Sequence, residues 1–171
     1  MADNSEVTPG DNPKTNASAK EGSAKSKKKY WRQIKRGPFY FEAEPGMTGT
    51  SIFAHHDEYG SGTTLGYHCI SKPGYTADQP HSHDNHELLC FLGGDPTDIN
   101  DFGAEISICL GDELEEYIIT SPTIVSIPPG LKHCPLVVRK CTKPIVFLEI
   151  STTNEYKATG TDGKRVDSNI P

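Results

Sequence analysis

Two segments carry residue types that could do chemistry together: His81-Ser82-His83-Asp84-Asn85-His86-Glu87, and later Pro128-Pro129-Gly130-Leu131-Lys132-His133. In an extended segment side chains repeat every second residue, so His81, His83 and Glu87 share one face and His86 points the other way. Two imidazoles and a carboxylate then converge. A rigid Pro-Pro-Gly bend can bring His133 beside them from a neighbouring strand as a fourth donor. Nitrogen and oxygen donors without thiolate suit one divalent transition metal, Fe, Mn, Ni, Co, Cu or Zn, whereas calcium wants more oxygens. His86 is the nearest competitor for a ligand position, because a bulge could rotate it inward. Cys134 follows His133 directly, and strand alternation aims it away from the metal if the chain there is extended.

These residues must be positioned by strands. Segments with strand character run over 38–42, 50–55, 63–70, 87–92, 104–110, 115–120, 123–127, 136–140 and 145–150, separated by Gly-rich and Pro-rich turns. Gly111-Asp112-Glu113-Leu114 reads as a hairpin turn. No convincing amphipathic helix stands between these segments, and many short strands at this spacing predict an all-β sandwich or barrel.

The paired segments resemble the two motifs of the cupin superfamily. His81-x-His83-x3-Glu87-x6-Gly94 matches the second part of the first motif, Gly-x5-His-x-His-x3-4-Glu-x6-Gly, and Gly74 stands one position further from His81 than that motif's spacing. Pro128-x-Gly130-x2-His133 matches the heart of the second, Gly-x5-Pro-x-Gly-x2-His-x3-Asn; Pro122 and Val137 stand where that motif has its Gly and Asn. The resemblance covers roughly residues 60 to 150 and implies a single cupin barrel, a double-stranded β-helix or jelly roll. It implies a metal site made by His81, His83, Glu87 and His133. Such a three-His-one-Glu set resembles the cupin subclass that holds oxalate-degrading enzymes, flavonol and acireductone dioxygenases and several sugar isomerases. Glu87 separates the chain from the three-His thiol dioxygenases, and no Tyr lies between His83 and Glu87, unlike the dimethylsulfoniopropionate-cleaving cupins.

Composition sets the domain organisation. Residues 1–29 hold only Met1 and Val7 as large apolar residues and end in Lys25-Ser26-Lys27-Lys28-Lys29, so they cannot offset their ordering entropy and are expected to be a disordered arm. Residues 30–150 form the expected barrel domain, and the polar stretch 151–171 a loose tail or an arm laid over it. The chain has 17 basic and 23 acidic residues; the arm takes 6 and 4 of them, which leaves 11 and 19, about eight negative charges on the folded part. Such a surface repels phosphate backbones, which argues against nucleic acid as a partner. The absence of an apolar run on the order of eighteen residues, and of a signal-peptide core, predicts a soluble protein with no membrane partner. Cys69, Cys90, Cys109, Cys134 and Cys141 are odd in number and form no Cys-x-x-Cys pair, which fits reduced thiols in a cytoplasmic protein. The strands 88–92 and 144–148 are apolar on both faces, and the second face calls for cover by the N-terminal strand or by a second subunit. Cupins are commonly dimers, so the resemblance tips this expectation to a homodimer.

Beyond the donors the signals are weaker. Tyr67, His68, Tyr117 and Glu149 are candidates for a general acid or base inside the barrel, and Arg139 shares the parity of His133, although a solvated Arg139 beside Lys140 is the simpler reading. His55 and His56 read as part of a charged turn, His68 as a hydrogen-bonded strand residue, and Asp95, Asp98 and Asp101 as a surface loop. The function expected is a metal-dependent cupin enzyme acting on a small metal-chelating substrate, with a dioxygenase slightly ahead of an isomerase or lyase. The alternative is a non-catalytic cupin that binds a small ligand as a sensor or storage module.

Overall fold

The computed structural model describes residues 29–30, 34, 39–40, 50–54, 60–77, 79–155, 157–160 and 165–166. The chain divides into two units, Met1–Ile34 and Lys35–Pro171. Every strand described here belongs to the second unit. The expected arm, 1–29, lies outside the described residues but for Lys29, as do His55 and His56.

The strands are β1 Phe39–Tyr40, β2 Thr50–Ala54, β3 Thr64–Ile70, β4 Gly74–Ala77, β5 His81–Ser82, β6 Glu87–Gly93 and β7 Ala104–Leu110. They continue with β8 Glu115–Ile119, β9 Thr123–Ile127, β10 His133–Cys141, β11 Ile145–Ser151, β12 Ala158–Gly160 and β13 Arg165–Val166. Among the described residues there is no helix. One sheet has the order β1-β2-β3-β11-β6-β9; the other has β13-β12-β5-β10-β7-β8, with β4 also paired to β10. All pairings are antiparallel, and the result is the jelly-roll barrel that the strand spacing and the motifs call for.

Period-two burial shows why these segments are strands. β3 alternates buried and accessible residues along its length, with His68 and Ile70 inward and Tyr67 outward. Inward residues of both sheets, including Phe91, Phe147, Ile70, Ile106, Ile108, Ile127, Leu136 and Val138, make one apolar core. Phe91 and Phe147 face each other in register and stack with ring centroids 4.9 Å apart. Gly94 follows β6 where a Cβ would collide with the carbonyl oxygen of Pro144, just before β11 begins, so only glycine fits there. The Gly111–Leu114 turn joins β7 to β8, whose pairing closes at Leu110 and Glu115.

Two departures from the expected strands bear on the site. β10 begins at His133 rather than at residue 136, so the donor lies on the strand itself. The polar segment after Ser151 supplies β12, whose Thr159 and Gly160 pair with Ser82 and His81 of β5.

Candidate metal centre

Backbone pairing brings the two motifs together. β5 meets β10 where His81 pairs with His133. Between β5 and β6 the chain bends at Asp84 and Asn85, and Glu87 opens β6 opposite Ser151 of β11. The Pro-Pro-Gly turn is tied to the same place: Gly130 N–H donates to the carbonyl of His83 at 2.7 Å. Gly130 sits at φ +80, where a side chain is disfavoured and glycine is not.

The side chains of His81, His83, Glu87 and His133 are all buried and converge at one end of the barrel. Ring centroids lie 5.1 Å apart for His81 and His83, 4.3 Å for His81 and His133, and 5.0 Å for His83 and His133. Glu87 Oε2 stands 3.4 Å from His83 Nε2 and 3.3 Å from His133 Nε2. Its other oxygen, Oε1, accepts a hydrogen bond from Ser151 Oγ at 3.0 Å. Donor atoms of His83, Glu87 and His133 lie within 4.8 Å of one another, close enough to hold one ion.

Each imidazole is oriented by the backbone. His81 Nδ1 donates to the carbonyl of Gln79 at 2.8 Å, His83 Nδ1 to that of Lys157 at 2.6 Å, and His133 Nδ1 to that of Leu131 at 3.1 Å. A carbonyl can only accept, so each neutral ring carries its proton on Nδ1 and turns the Nε2 lone pair inward. Lone pairs facing a carboxylate oxygen repel unless a proton or a cation stands between them. The donor set therefore fits a divalent cation, and carbonyl-anchored imidazoles are the usual support of a metal ligand.

Charge coupling in the group agrees. Burial alone would raise the Glu87 carboxyl, but the hydrogen bonds and charges of His133 and His83 hold it well below the usual carboxylate range. Burial, together with the charge of His133, pushes His81 down to about 4. Burial also opposes the charged form of His83, yet Glu87 outweighs it and His83 is raised. Protons and a metal would thus compete mainly for His83.

Other candidates fall elsewhere. His86 shares a hydrogen bond with Ser126 Oγ at 2.8 Å, between Nε2 and the hydroxyl. Arg139 pairs with Glu116 at the surface, 2.5 Å apart. Tyr67 and Tyr117 are exposed. Asp95 and Asp98 cap turns of the loop after Gly94, and Asp101 pairs with Lys143. His68 is wholly buried, stacks on Phe147 and donates from Nε2 to Glu149 Oε2 at 3.3 Å. Glu149 in turn lines a cavity of about 40 Å³ with His81, Glu87, His133, Cys134, Leu89, Leu136 and Ala77. The expectation that Cys134 points away fails. Cys134 adopts φ +76, which breaks strand alternation and leaves its side chain buried at the cavity beside His133. Sequence reasoning missed Ser151 and the carbonyls of Gln79, Leu131 and Lys157 as supports of the group; Ser151 alone had a signal, its place next to the apolar run of β11.

No protein-family model matches the chain, and no curated protein does. Solved structures do. Peruvianin-I, a cysteine peptidase from Thevetia peruviana latex, is 17% identical, covers 92% of this chain and 90% of its own, and superposes with a TM-score of 0.52. An oxalate decarboxylase of Lactobacillus farciminis, in complex with formate, is 15% identical over 74% of this chain and 33% of its own, with a TM-score of 0.48. An oxalate oxidase is 13% identical over 76% of this chain and 62% of its own, with a TM-score of 0.49. The chain thus spans about a third of the length of the oxalate decarboxylases it matches. A two-sheet jelly roll that carries both motifs at one end of its interior is overlaid along nine-tenths of its length by a solved structure, and that likeness shows the fold.

Proposed function

We propose that this chain is a metal-dependent cupin enzyme that acts on a small, metal-chelating substrate, with His81, His83, Glu87 and His133 as the protein donors and a dioxygenase reaction favoured over isomerase or lyase chemistry. The observation that carries the reading is a set of three carbonyl-anchored imidazoles around one buried carboxylate, with donor atoms of His83, Glu87 and His133 within 4.8 Å of one another and His81 beside His133 at the same cavity. A divalent cation held there would act as a Lewis acid toward chelated substrate oxygens, with coordination positions left open by the protein.

This chain's own residues supply the rest. Leu89, Leu136 and Ala77 make an apolar wall that limits water and suits an apolar co-substrate such as dioxygen. On the opposite chemistry, Glu149 offers a carboxylate at the cavity wall that can hold or move a proton, and His68 fixes its Oε2. The size of the cavity, room for a few water-sized groups, favours a substrate of few heavy atoms. Oxygen uptake by the iron-loaded protein, measured against a panel of enols, β-diketones and thiols, tests the reading. Uptake with one class, lost in His133→Ala, is the expected result; metal retention without turnover of any kind would select the ligand-binding alternative.

A homodimer belongs to the same proposal. Leu88, Leu92, Val146, Leu148 and Ile150 are only half-buried and adjoin one another in register across β6 and β11, and Ile124 of neighbouring β9 is 62% exposed. A second copy seated on this apolar face would cover it. Sedimentation is expected to show dimers for the unmodified protein and monomers or aggregates for Leu148→Glu; a monomer at micromolar concentration contradicts it. Cys69, Cys90, Cys109 and Cys141 are free thiols, which suits the cytoplasmic location expected from the cysteine pattern.

A further inference from the structure

We propose that Cys134 is itself a metal donor, and that His81, His133 and Cys134 form a softer donor set that overlaps the harder set of His83, Glu87 and His133, with His81 and His133 open to either. The inference rests on the metal-centre reading above and extends it. One donor atom from each of His81, His133 and Cys134 lies within 4.8 Å of the others, and all three residues are buried. Among the described residues, these two overlapping sets are where His, Cys, Asp and Glu side chains gather closely enough to hold an ion. His81 and His133 both stand beside the sulfur, and Cys134 and Glu87 line the same cavity.

The sharing of His133 has a chemical consequence. His133 Nδ1 already donates to the carbonyl of Leu131, so Nε2 is the atom left for a metal in either set. One lone pair serves one cation, so the two sets cannot each hold an ion at the same time. Thiolate and imidazole select Cu(I) or Zn(II), whereas a carboxylate with imidazoles suits Mn(II) or Fe(II). The metal supplied therefore decides whether sulfur or carboxylate is engaged. In the softer mode the Cys134 S–H proton leaves to solvent as a sulfur lone pair forms the bond to the metal. The φ of +76 at Cys134 is what turns the sulfur from the outer face to the cavity.

Metal-free full-length protein titrated with Cd(II), a soft probe, and separately with Mn(II), tests this. The Cd(II)-loaded protein is expected to bind one equivalent and show thiolate-to-metal charge-transfer absorption in the ultraviolet. That band is lost in Cys134→Ser and Cys134→Gly and kept in Glu87→Gln. Loss of the sulfur weakens Cd(II) by more than the roughly 10- to 100-fold that loss of an outer hydrogen-bond partner costs, and leaves Mn(II) binding unchanged. Glycine accepts the left-handed φ without a Cβ penalty, so Cys134→Gly is expected to keep the far-ultraviolet circular dichroism of the barrel. One bound equivalent of Cd(II) without the band overturns the proposal, as does a band that survives both Cys134 variants. Protein that binds neither ion overturns the metal-centre reading and this inference together, whereas Mn(II) bound without any thiolate signal from Cd(II) overturns this inference alone.

Discussion

The two ends of the barrel interior are built from the same strands and do opposite work. Along β6 the inward residues run from Glu87 to Leu89 and Phe91; along β10 they run from His133 to Leu136 and Val138; along β11 they run, in reverse, from Ser151 and Glu149 to Phe147 and Ile145. One end is a packed apolar core whose burial holds the sheets together. The other is a polar cluster that costs desolvation and is held in place by backbone carbonyls and by strands the core has already fixed. The apolar core and the donor group are thus made by different residues of the same strands, only a few positions apart.

The largest expected effect breaks the core end. Phe147→Ala removes half of the Phe91–Phe147 stack and the surface on which His68 rests, and is expected to cost about 3–5 kcal/mol, read as a lowered urea midpoint. His133→Ala, at the other end, is expected to cost about 1–2 kcal/mol in the metal-free protein while metal content falls to background. Equal destabilisation by the two changes would deny the separation. Ser151→Ala should act more gently: the fold persists, and metal binding weakens by roughly 10- to 100-fold because Glu87 loses the hydroxyl that orients Oε1.

Acidification sharpens the same comparison. In the metal-free group His83 is raised above its ordinary 6.5, so a proton takes the metal's place at Nε2 as pH falls through that raised value. Metal affinity is then expected to decline from above pH 6.5 downward, with one set of protons released when metal binds at neutral pH. His81, at about 4, stays neutral over most of that window and contributes to the loss only near its lower end. A pH-independent affinity between 5 and 8, about the range in which histidine ordinarily titrates, would contradict this assignment.

Much of this was legible in the residues because it rests on side-chain types. Apolar runs of strand length mark β3, β6, β7, β9 and β11, and the meeting of His81, His83, Glu87 and His133 follows from spacing and a Pro-Pro-Gly bend. What was not legible rests on the backbone. β5 and β13 are two residues long and β12 three, too short for a pattern, yet β12 pairs with the strand that carries His81. The carbonyls of Gln79, Leu131 and Lys157, which set the imidazole tautomers, belong to residues of no chemical distinction. Cys134 was misread because parity assumes extended backbone, and a positive φ at that one residue reverses its face.

On this reading the polar end of the barrel holds one divalent transition metal on histidine and Glu87 donors. The most direct measurement is the metal content of untagged full-length protein and of its His133→Ala and Glu87→Gln variants, each equilibrated with Mn(II) or Fe(II) and freed of excess. One tightly held equivalent in the unmodified protein, absent or greatly weakened in both variants while their circular dichroism is unchanged, is the predicted result. Unmodified protein that keeps no metal, or variants that keep as much as it does, would contradict the account.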